Sequence, residues 1–162
     1  MTYEDVISGI EIAANMAIKQ SRGRRTVLEP RQLLTLQALV DTIIPEDDYP
    51  GGWESGVGDY LLGQLQSDLS DSLASYRDWL DALDIEAEKV FQRPFARLDL
   101  ASRTAMLEAI EQGDIKPAWP VDRARFFAQI VEHCTEGYYA DPGNGGNRDG
   151  AAWAMVGFEV TA

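Results

Sequence analysis

Apolar residues recur every three or four positions in one segment of this chain after another. No stretch of about six residues alternates apolar with polar in the company of β-branched side chains. That spacing admits helices and leaves no material for a sheet. Val6, Ile7, Ile10, Ala14, Ala17 and Ile18 predict a first helix, opened by Thr2 to Asp5 and ending near Gln20. Ser21 to Thr26 reads as a basic linker. Pro30 suits the first turn of a second helix, lined by Leu33, Leu36, Leu39, Val40 and Ile43 and stopped by Pro45.

Pro45 to Gly58 holds two prolines, four glycines and several acids, so it reads as a long surface loop. Ser55 is placed to cap a third helix carrying Val57, Tyr60, Leu61 and Leu65. Leu69, Leu73, Tyr76, Leu80 and Leu83 mark a fourth. Glu86 to Phe91 reads as a short further helix before Pro94. Asp99 caps the next, with Ala105, Met106, Ala109 and Ile110 inward and Gly113 as its stop. Pro117 to Pro120 is a break. Pro120 then starts a helix through Phe126, Phe127, Ile130, Val131 and Cys134, which Gly137 ends. The expected fold is all-α: one irregular helical domain of about six to eight helices with two long ordered loops. Residues 1–26 form its N-terminal helix and basic linker, and residues 27–162 the helical domain.

The chain has 162 residues, enough for one domain with a real core. Its 27 acidic and 14 basic side chains give a net charge of −13. Such a surface repels DNA and anionic lipid. The one local basic group is the short Arg22, Arg24, Arg25 set, so no nucleic-acid partner is expected. No apolar run reaches the ~18 residues that a membrane helix needs, so no membrane insertion is expected either. Arg24-Arg25 resembles a twin-arginine start, but Glu29, Pro30 and Arg31 interrupt the apolar segment that should follow. As it stands the sequence has no readable export signal, and a cytoplasmic location is expected if this is the full chain.

Candidate chemistry is sparse. One cysteine, Cys134, allows no internal disulfide. One histidine, His133, falls short of the roughly four ligands of a Cys/His zinc site. A hydrolytic triad through His133 lacks a Gly-x-Ser-x-Gly elbow. An independent enzyme would have to pair His133 with Glu132 or Glu136. Cys134 reads as a buried inert thiol, with an inter-subunit thiol as the alternative. Glu46-Asp47-Asp48 could hold a hard cation or be a solvated acidic turn.

The stretch from Tyr138 to Gly150 is rich in glycine, asparagine and aspartate. Counted as a calcium loop from Asp141, its alternate positions are Gly143 and Gly145 and its twelfth is Ala152, so the pattern fails. Gly143-x-Gly145 followed by Arg148 fails as a dinucleotide loop, and no strand precedes it. A structural or docking loop fits better, with Arg148 pairing to Asp141 or Asp149 or bonding loop carbonyls. The alternative is an acidic helical module binding a small ligand or calcium there. Trp53, Tyr138, Tyr139 and Trp153 flank loops and are candidate partner-interface anchors, together with Asn147, Arg148 and Asp149. They could equally cap a small core.

Three segments carry a resemblance. The first is Leu39-Val40-Asp41-Thr42-Ile43-Ile44-Pro45 with the acids and Pro50-Gly51 after it. The second is Phe91-x-x-Pro94-Phe95-x-x-Leu98. The third is His133-x-x-Glu136-Gly137-Tyr138-Tyr139-x-Asp141-Pro142, then Gly145-Gly146-Asn147-Arg148-Asp149-Gly150 and Trp153-x-x-Val156-Gly157-Phe158. Together they resemble the gluconate 2-dehydrogenase subunit 3 family. The resemblance implies a small, non-catalytic subunit of a flavin-dependent sugar or polyol dehydrogenase. Its partner would be a large subunit of the glucose-methanol-choline oxidoreductase type, which carries the FAD and the active site. A cytochrome c is a candidate electron acceptor. The small chain would hold no cofactor and would act in a chaperone-like way on the large one. Many members carry a twin-arginine signal and are periplasmic; this sequence departs from them at its start.

Overall fold

The computed structural model describes residues 27–159, and the expected N-terminal helix and basic linker lie outside them. The fold is all-α. Among the described residues six helices run in order: α1 (Pro30–Ile43), α2 (Val57–Leu65), α3 (Leu73–Phe91), α4 (Leu100–Gln112), α5 (Arg123–Tyr139) and α6 (Ala151–Met155). Short 3-10 turns at Ser70–Ser72, Phe95–Arg97, Pro142–Asn144 and Arg148–Gly150 link them. No strand occurs among the described residues.

Helix α1 is the hub, touching α2, α3, α4 and α5. Its start follows from sequence: Pro30 at the first turn, and Glu29 and Gln32 forming a reciprocal capping box. Leu33, Leu36, Leu39 and Val40 are buried, and so are Gln32, Thr35 and Ala38. A helix buried over so wide an arc must satisfy its polar groups. Thr35 donates back to the Arg31 carbonyl at 3.1 Å, and Gln32 donates to Asp81 of α3 at 3.0 Å.

Leu69 to Phe91 does not form two helices. After the Ser70–Ser72 turn, α3 runs unbroken for 19 residues. Nothing between Leu83 and Glu86 breaks a helix, and buried Asp84 and Glu86 are both partnered. Asp84 accepts from the Phe95 backbone N–H at 2.9 Å and pairs with Arg31. Glu86 pairs with Lys89 at 3.3 Å. Asp84 thus fixes the Pro94-Phe95 turn against α1, with Phe95 fully buried.

Helix α4 starts and stops as its sequence predicts. Asp99 accepts from the Ser102 N–H at 2.8 Å, and Gly113 ends the helix at φ 78°. That backbone bond holds the Asp99 carboxyl below its ordinary range. Its inward face differs from the expectation, with Leu107 buried and Ala105 exposed. Helix α5 begins after Asp122, which caps it, rather than at Pro120. It runs past Gly137 to Tyr139. Gly137 is a contact residue, since a Cβ there would lie 2.7 Å from the Tyr60 ring. Trp119, in the expected break, is buried against Phe126, which also packs edge-on against Trp79.

Candidate functional site: a clasp between two loops

The segment before α2 is a surface loop only in its first half. Pro45 to Tyr49 is exposed, whereas Gly51, Gly52, Ser55, Gly56 and Gly58 are buried. A loop that goes inside must find partners for its backbone. The Gly52 N–H donates to the Ile44 carbonyl at 2.8 Å, and the Trp53 N–H to the Asp41 carboxylate at 3.0 Å. Ser55 does not cap α2. Its hydroxyl donates to the Pro50 carbonyl at 3.3 Å, and Gly56 opens the helix in the left-handed conformation, φ 89°.

What covers this loop is the Tyr138–Gly150 stretch. A Cβ at Gly56 would collide with the Gly145 carbonyl oxygen, and one at Gly146 with that of Gly137. Backbones meet here at distances only glycine allows. The Arg148 N–H donates to the Ser55 carbonyl at 2.8 Å. The Arg148 guanidinium donates to the Glu54 carbonyl at 3.0 Å and to the Asp59 carboxylate at 3.1 Å. Arg148 therefore does bond a loop carbonyl, but that of the other loop, and its acid is Asp59 rather than Asp141 or Asp149.

Asn147 holds the second loop together from within. Its side chain is fully buried, donating to the Ala140 carbonyl at 2.9 Å and accepting from the Ala152 N–H at 2.9 Å. Asn147 and Asp149 both take positive φ, at 45° and 59°. Asp141 accepts from the Gly143 N–H at 2.8 Å, a local turn bond.

The aromatic candidates divide. Tyr138 is buried, with its hydroxyl donating to the Pro50 carbonyl at 3.2 Å, so it ties α5 to the first loop. Trp53 is half-buried, its ring lying over Gly58. Tyr139 is exposed beside half-buried Trp153, whose indole N–H donates to the Tyr139 carbonyl at 3.0 Å. Phe158 packs edge-on against Trp153, and Phe158 and Val156 are both more than half exposed. An apolar surface strip thus adjoins the clasp.

His133 is not paired with Glu132 or Glu136. It is buried, and its Nδ1 lies 2.7 Å from the Tyr76 hydroxyl. Both acids are exposed, and Glu136 meets the Tyr60 hydroxyl at 3.4 Å instead. Cys134 is fully buried, and burial pushes its thiol up to about 12. An inter-subunit bond through this thiol would need the core around it to open. No group of three or more acid, histidine or cysteine side chains among the described residues is placed to hold a metal ion. That covers both Glu46-Asp47-Asp48 and the Asp141–Gly150 loop.

Sequence reading did not single out Glu54, Asp59, Asp84 or Arg103, and it noted Asp41 only within the first resembling segment. None stands out by spacing, because the contacts that matter, such as Asp41 with Trp53, Asp59 with Arg148 and Asp84 with Arg31, are made by packing between elements. Asp41 and Arg103 face the same cavity beside the clasp. Burial raises the Asp41 carboxyl, offset in part by the Trp53 N–H and the Arg103 charge. Burial likewise lowers Arg103.

No helix among the described residues is long and apolar enough to cross a membrane. A family model described as gluconate 2-dehydrogenase subunit 3 matches residues 30–159, a span that contains α1, both loops and the strip around Trp153. No curated protein and no solved structure matches the chain significantly.

Proposed function

We propose, since this chain belongs to the gluconate 2-dehydrogenase subunit 3 family, that it acts as the small accessory subunit of a flavin-dependent sugar or polyol dehydrogenase. The large subunit, of the glucose-methanol-choline type, binds FAD and performs the oxidation. The small chain holds the large one in its folded form. A cytochrome c receives the electrons.

The observation that carries this reading is the family match across nearly all described residues. The geometry supports it. His133 is sealed against Tyr76 and Cys134 is buried, so neither is presented to a substrate. The clasp fixes two loops rigidly and sets Tyr139, Trp153, Val156 and Phe158 on the surface beside them. Aromatic and apolar anchors on a rigid support suit an interface core. A subunit that binds only the folded partner stabilises it by mass action.

The experiment is co-expression of the large subunit with and without this chain. The reading expects a loss of soluble, flavin-loaded, active large subunit when the chain is absent. Equal yield, flavin content and activity in both cultures would overturn it.

A further inference from the structure

A cavity of about 530 Å³ opens between α1, the first loop, α4 and the clasp. Its volume lies within the range of small-molecule sites. Four carboxylates line it, Asp41, Glu46, Glu54 and Asp59, against two guanidiniums, Arg103 and Arg148. Its wall is therefore net negative.

Both guanidiniums are already engaged. Arg148 pairs with Asp59 at 3.1 Å. Arg103 donates to the Leu98 carbonyl at 3.3 Å, and its charge partly offsets that of Asp41. Glu46 and Glu54 are exposed, and neither has an ion-pair partner among the described residues. Burial raises the Asp41 carboxyl, and the Glu46 and Glu54 charges raise it further, as unbalanced negative charge must.

A metal ion does not suit this arrangement. It would need several oxygens gathered at one point, and no three acid side chains among the described residues converge in that way. The carboxylates are instead spread around a wall that also holds the Trp53 ring and the side chains of Leu62 and Leu100. An anion would be repelled by the carboxylates, and a bare cation would gain nothing from the apolar wall. A cation on an apolar stem uses both. Its head meets the carboxylates and the Trp53 ring, and its methylenes lie along the leucines. We propose that this cavity binds an ammonium or guanidinium group carried on an aliphatic stem, with Glu46 and Glu54 as its counter-charges. Two sources offer that chemistry: a free alkylamine or alkylguanidine, and the lysine or arginine side chain of another protein. The proposal stands on the cavity and not on the accessory-subunit reading, so the co-expression result bears on that reading alone.

The test is calorimetric titration of the full chain with Nα-acetyl-L-arginine amide, its neutral isostere Nα-acetyl-L-citrulline amide, and agmatine. Saturable binding of the arginine derivative in the millimolar range is expected, with the citrulline derivative weaker by about tenfold or more. Glu46→Gln combined with Glu54→Gln, both at exposed positions, should weaken the arginine derivative about fivefold or more. Asp78→Asn combined with Glu132→Gln makes the same change in net charge on exposed residues outside the cavity, and should leave the affinity within about twofold. Agmatine carries the same guanidinium and stem without the peptide groups. Binding of either cation supports the proposal, and the tighter of the two names the source. No saturable binding of either cation, equal affinity for the arginine and citrulline derivatives, or equal weakening by the two double variants would each overturn it.

Discussion

Arg148 and Asp59, far apart in the chain, form an ion pair of 3.1 Å while the same guanidinium donates to the Glu54 carbonyl at 3.0 Å. One side chain thereby holds the first loop and the start of α2 against the C-terminal loop. Both partners of the ion pair are about half exposed, at 51 % each.

That exposure limits what the ion pair is worth. Arg148→Ala should cost about 1 kcal/mol in urea denaturation of the full chain, since solvent screens the pair and water replaces part of the carbonyl bond. Arg148→Lys should recover only part of it, because an ammonium lacks the fork that spans two acceptors. A loss above about 3 kcal/mol would show that the clasp carries more of the fold than its exposure allows.

Gly56 is a sharper test of the same contact. Gly56→Ala imposes a left-handed conformation on alanine and a collision with the Gly145 carbonyl. It should destabilise by about 2–4 kcal/mol, lowering the melting temperature by roughly 5–10 °C. Gly150→Ala also demands positive φ, but nothing lies near its Cβ position. It should cost about 1 kcal/mol. Equal melting shifts for the two variants would show that loop docking adds nothing to backbone strain.

Asn147→Leu removes a buried donor and a buried acceptor together, stranding the Ala140 carbonyl and the Ala152 N–H. A loss of about 2–4 kcal/mol is expected. Asn147→Asp keeps the acceptor for Ala152 but offers no amide donor to Ala140. Amide hydrogen exchange at Ala152 should therefore rise sharply in the leucine variant and less in the aspartate one.

Alkaline pH should weaken the fold from a defined point. Burial raises the Cys134 thiol from its ordinary value of 9.0 to about 12, and also raises the Tyr76 hydroxyl. The folded chain holds these protons more tightly than the unfolded one. Their contribution is therefore fully present below the unfolded thiol value and is lost as pH rises from about 9 toward 12. The thiol alone gives a slope of up to about 1.4 kcal/mol per pH unit. Cys134→Ala should flatten the stability profile between pH 9 and pH 10. An unchanged slope there would contradict the burial of this thiol.

The helices were legible where one signal acted locally. Pro30 and Pro45 bracket α1, and Asp99 and Gly113 bracket α4, because caps and breakers work within a turn of their own positions. Gly137 and Ser55 misled for the converse reason. Gly137 reads as a helix stop by local rules, but it is small because Tyr60 presses on it. Ser55 reads as a cap, but its hydroxyl turns back to Pro50. At the clasp, Arg148 and Asn147 were visible as unusual residues in an unusual loop. The partners of Arg148, Asp59 and Glu54, carry no mark in sequence, since contact between distant segments is a property of packing rather than spacing; those of Asn147, Ala140 and Ala152, lie in its own loop but bond through backbone atoms that every residue has.

The clasp also sets an order of events during synthesis. Glu54 leaves the ribosome 94 residues before Arg148. At about 5–20 residues per second, that is a wait of roughly 5–20 seconds. Through that interval the Ser55 carbonyl lacks its Arg148 partner and the glycines around Gly56 lack their cover. The first loop is written early and fastened last, so the nascent chain reaches its final shape only when its C-terminal signature has been made.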